Sequence, residues 1–244
     1  LAARYNTNVE VIQYLYDTFE YKIGTEKQDK DGYNALMIAV RYNTHIAVIQ
    51  YLCDIYKGSC TQDKDGNTAL MIAAEYNTNV AVIQYLKVVF KDTKTINIQT
   101  KYNGETALML AAQYNKNIKV FQALCEIFKD TIDINKQDKN SMTVLMRVVR
   151  FGGNFAKIQY LCDTFKNTID INQQDPGCRN ALMYAVQSNT NIEVLQYLYE
   201  TFRNTVDDIN KQNKNGDTAL MLAARYIINV TITQCLYDTL KDTI

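Results

Sequence analysis

Nucleophilic or acid–base catalysis in this chain would depend on its one histidine, because Ser–His and Cys–His pairs both need an imidazole base. That residue is His45, and it stands at a position that is Asn in six similar segments of the sequence. Each segment continues into an apolar stretch with helical spacing, where a polar residue is typical of a helix cap. We therefore interpret His45 as a cap and expect no catalytic residue.

The cysteines are the other candidates for chemistry. They are Cys53, Cys60, Cys125, Cys162, Cys178 and Cys235. None forms a C-x-x-C pair, which argues against a zinc site. The first, third and fourth share one repeated position with Tyr and Lys, so this position indicates packing rather than a nucleophile. A disulfide framework is not expected in a long chain with 47% hydrophobic residues. The cysteines therefore predict a reducing, intracellular environment.

Acidic turns such as Asp29-Lys30-Asp31-Gly32 resemble part of a calcium loop. An EF-hand loop needs another acidic residue two positions earlier and a glutamate six positions after the glycine. Those positions hold Lys27 and Ile38, so we exclude an EF-hand. The sequence has no glycine-rich phosphate-binding motif either. We predict neither a cofactor nor a bound metal.

The charge balance argues against nucleic-acid binding. Lys and Arg number 26, as do Asp and Glu, for a net charge of +0, whereas phosphate binding relies on a basic surface. No apolar run has the length of a membrane span, and the start has no signal-peptide pattern. We expect no nucleic-acid partner, no membrane insertion and an intracellular, cytoplasmic location. The chain starts without Met, inside a repeated segment, so we also expect it to be cut from a longer array.

An internal repeat organises the whole sequence. The tripeptide Ala-Leu-Met, once Val-Leu-Met, begins at positions 35, 69, 107, 144, 181 and 219, at intervals of 34, 38, 37, 37 and 38 residues. The opening Leu-Ala-Ala-Arg matches residues 222–225 and adds a truncated first copy. We predict one array over residues 1–244, with approximate copies 1–28, 29–62, 63–99, 100–137, 138–174, 175–212 and 213–244.

Each copy has the pattern of two helices joined by a break. A polar turn, usually with Gly, is followed by Thr or Asn and then by a short apolar stretch such as Ala69–Ala74. These residue types suit a turn and a helix N-cap. After the break Tyr76-Asn77-Thr78-Asn79, a second stretch carries apolar residues at helical spacing. One such pair is too small to bury its own apolar face, so the pairs must stack.

This order of turn, glycine, threonine and paired helices resembles the ankyrin repeat. The family pattern D-x-x-G-x-T-P-L-H-x-A-A is matched by residues 63–74, DKDGNTALMIAA, and the match recurs along the whole chain. The resemblance implies an all-α, ankyrin-type α-solenoid of about seven helix–loop–helix repeats with short hairpin-like turns. A tetratricopeptide repeat has a similar length. It has no D-x-x-G turn, however, and its Trp is absent here.

Two departures from the family pattern fall in the first helix. The family Pro is Ala or Val, and the family His is Met. The methionines are Met37, Met71, Met109, Met146, Met183 and Met221. Loss of the His removes the hydrogen bond that it makes in the family. We expect flexible apolar packing by Met in its place.

The resemblance also implies where a partner would bind. Ankyrin repeats bind other proteins on a concave face made of the hairpin tips and the inner side of the first helices. The matching positions here lie two residues before the Ala of each Ala-Leu-Met, and three and six residues after it. They vary between copies while core positions stay constant. Adding the adjacent Phe151, the predicted partner-binding residues are Tyr33, Ile38, Arg41, Ile72, Glu75, Leu110, Met142, Arg147, Arg150, Phe151, Arg179 and Tyr184.

Copies five and six depart most from the repeat. Arg147 and Tyr184 replace the Ile or Leu of other copies, and Arg and Tyr are enriched among residues that dominate binding energy. We expect both to be anchors whose replacement by Ala weakens binding while the melting temperature barely moves. Degeneration of the two copies is the alternative, because Gly152-Gly153 and Lys157 also break the pattern.

The functional prediction is a non-catalytic scaffold that binds a partner protein of unknown identity. One alternative is a targeting or regulatory array of a larger enzyme, channel or effector protein. A second alternative is a purely structural spacer. An enzyme within these residues is the least expected, given the single histidine.

Overall fold

The computed structural model describes residues 1–19, 27–56, 61–89, 93–151, 154–188, 192–202 and 211–226. These residues form thirteen α-helices and one 3-10 helix, and they include no β-strand. The predicted all-α, ankyrin-type solenoid is therefore confirmed. The chain divides into two compact units, Leu1–Ile132 and Asp133–Ile244.

The first unit consists of helix pairs stacked in chain order. Its first helices pack against one another in succession, and so do its second helices. A 3-10 helix, Thr93–Asn97, precedes the turn of the fourth copy. The α-helices are α1 (Ala2–Tyr5), α2 (Val9–Phe19), α3 (Ala35–Tyr42), α4 (Ile46–Tyr56), α5 (Ala69–Tyr76), α6 (Val80–Val89), α7 (Ala107–Gln113) and α8 (Ile118–Ile127).

The second unit repeats this arrangement. The first helix α11 packs against both α9 and α13, and the second helix α10 packs against α12. The helices are α9 (Val144–Phe151), α10 (Phe155–Phe165), α11 (Ala181–Gln187), α12 (Ile192–Phe202) and α13 (Ala219–Tyr226). Most side chains of α9 and α11 are buried, as expected for helices with neighbours on several sides.

The first helices after α1 begin at the Thr or Asn that the sequence predicts. The side-chain oxygen of this residue accepts a hydrogen bond from the backbone N–H three residues later, and so satisfies one of the free donors at the helix start. The pairs are Asn34–Met37 (2.9 Å), Thr68–Met71 (3.3 Å), Thr106–Met109 (3.4 Å), Thr143–Met146 (3.3 Å), Asn180–Met183 (3.0 Å) and Thr218–Met221 (3.2 Å). These predicted caps are confirmed.

The second helices are capped in the same way by an asparagine. Its side-chain oxygen accepts from the backbone N–H two residues later, in Asn8, Asn79, Asn117 and Asn154. His45 stands at this position in α4, where its backbone carbonyl accepts from the N–H of Val48 at 3.2 Å. The equivalent Asn191 and Asn229 lie outside the described residues.

Buried asparagines tie successive copies of the first unit together. The side-chain amide of Asn77 donates to the carbonyl oxygens of Val40 (2.7 Å) and Asn43 (3.2 Å), and its oxygen accepts from the N–H of Asn79. Asn43 and Asn115 make the same bonds in their own copies. Each amide therefore satisfies carbonyls at the end of the preceding first helix, which lack partners within that helix. The sequence indicated only a helix break here.

Most turns depend on an aspartate and a residue with positive φ; Thr100 and Asn213 replace the aspartate in the fourth and seventh copies. In the third copy, Oδ1 of Asp63 accepts from the N–H groups of Asp65 and Asn67. Gly66 has φ +85°, and a Cβ there would lie 2.8 Å from the backbone nitrogen of Lys101 in the next turn. Glycine is therefore needed here for two reasons: it permits the positive φ of the turn, and it leaves room for the backbone of the next turn. Cys178 occupies the equivalent position with φ 59°, in the left-handed region that a side chain disfavours.

Candidate functional site

The two variable positions at the ends of each first-helix segment lie side by side. The tip residue, two before the Ala, contacts the helix residue eight positions later in three copies. Arg41 donates to the hydroxyl of Tyr33 at 2.7 Å, and Arg225 forms an ion pair with Asp217 at 2.8 Å. In the fifth copy the shared contact is between Nη1 of Arg150 and the sulfur of Met142, at 3.7 Å. Tip and helix end are therefore in contact within each of these copies, although the tip residues Met142 and Asp217 are themselves buried.

A column of tyrosines borders this surface in the first unit. The side chains of Tyr42 and Tyr76 lie at the ends of first helices and remain partly exposed, by 45% and 44%. Arginines pack over them: the guanidinium of Arg4 lies 3.8 Å from the ring centre of Tyr42, and that of Arg41 lies 4.1 Å from that of Tyr76. Such stacking holds an arginine in place, and Arg4 and Arg41 are both partly exposed. Sequence reasoning treated these tyrosines as part of the helix break, although an aromatic residue recurs there in most copies.

The predicted partner-binding residues of the first unit differ in exposure. Tyr33, Ile38, Arg41 and Glu75 are partly exposed, so their side chains are accessible to a partner. Ile72 and Leu110 are buried beneath them. The role of these two residues in partner binding stays a prediction, and the partly exposed side chains offer the larger accessible area.

Arg147 is buried, with 5% of its surface exposed. Its Nε donates to Oδ2 of Asp138 at 2.8 Å, and its Nη2 bonds the same oxygen. Asp138 also accepts from the N–H groups of Asn140 and Met142 in its turn. The buried pair thus fastens the turn to α9. Removing one partner of a buried ion pair leaves an uncompensated charge and lowers stability, which argues against the expectation that the melting temperature barely moves. The role of Arg147 in partner binding stays a prediction.

Tyr184 is the counterpart of Arg147 in the sixth copy, and it is also buried, with 2% exposed. Its hydroxyl donates to Oδ2 of Asp175 at 2.6 Å. Arg179 forms an ion pair with the same carboxylate, also at 2.6 Å. Burial and the bond to Asp175 raise the pKa of Tyr184 to about 12. Burial opposes ionisation of Asp175, but hydrogen bonds from Arg179 and Tyr184 hold its pKa below the usual value.

Arg150 and Phe151 are the exposed members of the predicted cluster. The guanidinium of Arg150 lies 4.7 Å from the ring centre of Phe151 and 5.2 Å from that of Tyr184. Phe151 keeps 45% of its surface exposed, whereas Met142 is buried below Arg150. Within the described part of the chain, no carboxylate forms an ion pair with Arg150. Its charge and the adjoining ring are therefore available to a partner; Gly152-Gly153 lie outside the described residues.

The buried thiols are poorly suited to nucleophilic chemistry. Burial raises the pKa of Cys53 and of Cys162 to about 12 in each case, and it also raises that of Cys125. Thiolates are the reactive form of cysteine, so these residues contribute packing. Among the described residues there is no group of three or more side chains arranged to hold a metal ion. No helix in those ranges has the length and hydropathy needed to cross a membrane.

Comparison with solved structures supports the architecture described above. The ankyrin repeat domain of Bcl-3, described as a unique member of the IkappaB protein family, is 20% identical. It superposes with a TM-score of 0.70, over 96% of this chain and 95% of that one. A chain from the complex of the Bd0816 predatory endopeptidase of Bdellovibrio bacteriovorus with immunity protein Bd3460 is 24% identical. Its TM-score is 0.64, over 82% of this chain and 95% of that one.

Sequence comparison assigns the family. No curated protein matches the chain. A family model described as ankyrin repeats (3 copies), by contrast, matches residues 1–95, 87–175 and 167–242. Because these matches span nearly the whole chain and agree with the stacked helix pairs, this protein belongs to the ankyrin repeat family.

Proposed function

We propose that this chain is a non-catalytic scaffold that binds a partner protein on the surface formed by its turn tips and the ends of its first helices. Ankyrin repeats generally mediate protein–protein interaction, and one similar structure comes from a protein–protein complex. The proposal concerns direct contact by partly exposed side chains, with Arg150 and Phe151 as the central pair. The buried Arg147 and Tyr184 support them.

The observation that carries the proposal is the pairing of tip and helix-end residues. Positions eight residues apart contact each other in three copies, and the tip residue changes from Tyr33 to Met142 to Asp217 while the helix-end residue is Arg in each. A surface of constant geometry and variable chemistry is suited to recognising one partner among many. Arg and aromatic side chains on it match the composition of binding hot spots.

Affinity capture with a matched pair of variants tests this proposal. The wild-type chain, the double variant Arg150→Ala/Phe151→Ala and the control Glu200→Ala are immobilised separately and exposed to lysate of the native cells. Glu200 is exposed on the second helix α12, away from the turn tips. We expect a protein retained by wild type and control but depleted on the double variant. The purified partner should then bind the double variant about tenfold to several hundredfold more weakly.

Two outcomes would contradict the proposal. Retention of the same proteins by all three chains would place binding elsewhere, and absence of any specifically retained protein would favour a structural spacer. The alternative of a targeting or regulatory array of a larger enzyme, channel or effector protein uses the same surface. Determining the complete open reading frame separates it from a free-standing scaffold.

A further inference from the structure

A cavity of about 390 Å³ opens on the first unit between the second, third and fourth copies. Its floor includes the buried Ile72 and Leu110, and its walls include Tyr76, Tyr102 and Tyr114. The volume lies within the range of small-ligand pockets. It is sufficient for one long side chain together with part of the backbone that carries it.

Carboxylates outnumber cations around this cavity. Asp65, Glu75 and Glu105 line it, and Arg41 is the one basic residue among the described residues of the lining. Arg41 belongs to the second copy, where it bonds the hydroxyl of Tyr33 and packs over the ring of Tyr76. Glu105 belongs to the fourth copy, two repeats away, and is buried. Acidic side chains from the third and fourth copies thus face the one arginine that the second copy contributes to the described lining.

The charge of Glu75 is disfavoured mainly by burial, which raises its pKa. The Tyr76 hydrogen bond and Arg41 lower this pKa, and the nearby charge of Glu105 adds a smaller rise. A partly desolvated carboxylate with a second acid nearby favours the approach of a further cation. The tyrosine rings around it add favourable faces for the same cation.

We infer that this cavity binds a lysine or arginine side chain presented by an extended segment of the partner protein. Charge complementarity selects the cation, the tyrosine walls contact its ammonium or guanidinium group, and Ile72 and Leu110 receive its aliphatic stem. The inference rests on the proposed function of partner binding and assigns a partner chemistry to the first unit. It is independent of the Arg150–Phe151 pair in the second unit.

Nuclear magnetic resonance titration of the intact 244-residue chain tests the inference with defined probes. The probes are the N-acetyl methylamides of lysine and arginine, compared with those of norleucine and glutamate. We expect both cationic probes to shift the backbone amide signals of Glu75, Tyr76, Glu105 and Tyr114, with dissociation constants in the millimolar range typical of a single-residue ligand, about 1–10 mM. The norleucine and glutamate probes should leave these signals in place. A response to one cation alone identifies which side chain is preferred.

A matched pair of variants localises the effect. Glu75→Gln should weaken binding of the cationic probes by about tenfold, whereas Glu10→Gln, an exposed glutamate on α2, should bind them as wild type does. Equal shifts from norleucine, shifts from glutamate, or unchanged binding by Glu75→Gln would each overturn the inference. If one of these results were found while the Arg150→Ala/Phe151→Ala variant still failed to retain the partner protein, the cation site would be excluded and the proposed function would still be supported. Binding of the cationic probes, with no protein specifically retained from the lysate, would instead contradict the proposed scaffold function.

Discussion

The hydroxyl of Tyr184 donates to Oδ2 of Asp175 at 2.6 Å, joining a first helix to the turn nine residues before it. Arg147 makes the equivalent contact with Asp138 in the preceding copy. Both residues replace the apolar side chains that other copies have at this position. The two replacements therefore share one contact with the turn aspartate, which gives each of them a structural role in its own copy.

Removing the Tyr184 hydroxyl should destabilise the second unit. We expect Tyr184→Phe to lower the free energy of unfolding by about 1.5–3 kcal/mol, because the bond to an ionised group is buried. The control is Tyr197→Phe, whose hydroxyl donates to Asp163 at an exposed site, where the loss should be below about 1 kcal/mol. Urea unfolding monitored by circular dichroism compares the two. Equal losses would show that burial of the Tyr184 bond has no special effect.

The carboxylate of Asp175 should contribute to the loss of folding stability at low pH. The pKa of Asp175 is lowered in the folded chain from its usual 3.8, so its unfolded form binds a proton at higher pH than its folded form does. The resulting stabilisation is complete above pH 3.8 and is lost as the pH falls through the folded-state pKa. We expect Asp175→Asn to be less stable than wild type at pH 6, with a difference that narrows below pH 4. Urea midpoints measured from pH 6 to pH 3 check this, and a constant difference would be inconsistent with it.

The buried side-chain amide of Asn77 should contribute more to stability than the side chain of the nearby Asn79 does. Asn77→Ala leaves the carbonyls of Val40 and Asn43 without this donor, at a cost of about 1–3 kcal/mol. The amide of Asn79 donates to Thr44 at an exposed site. Asn79→Ala should therefore lose mainly its N-cap bond, about 1 kcal/mol. Thermal melts rank the two variants; a larger loss for Asn79→Ala would argue against the buried ties between copies.

Glycine at position 178 should stabilise the sixth copy. Cys178 has φ 59°, and relief of this conformation by Cys178→Gly should raise stability by up to about 1 kcal/mol. The opposite exchange, Gly66→Ala, should destabilise, because its φ is +85° and the added Cβ would meet Lys101 at 2.8 Å. Differential scanning calorimetry measures both. A lower melting temperature for Cys178→Gly would mean that the thiol contributes packing that exceeds the backbone strain.

The sequence alone determined the features that depend on local interactions. Helix pairs follow from the spacing of apolar residues, and helix starts follow from Thr or Asn, because a cap bonds a backbone group only two or three residues away. Thr68 and Asn180 cap their helices as the pattern predicts. The same pattern indicated the ankyrin repeat, since each copy has to stack on its neighbours.

The tertiary structure alone decided which variable residues face solvent. Arg147 and Tyr184 share a helix position with apolar residues, and nothing in that position reveals that an aspartate nine residues earlier satisfies them in the interior. The cavity beside Glu75 likewise combines side chains from three copies. The burial and the electrostatic environment of a side chain depend on how elements distant in sequence pack together. The repeat pattern therefore indicates which positions are variable, but it does not determine which of their side chains are exposed.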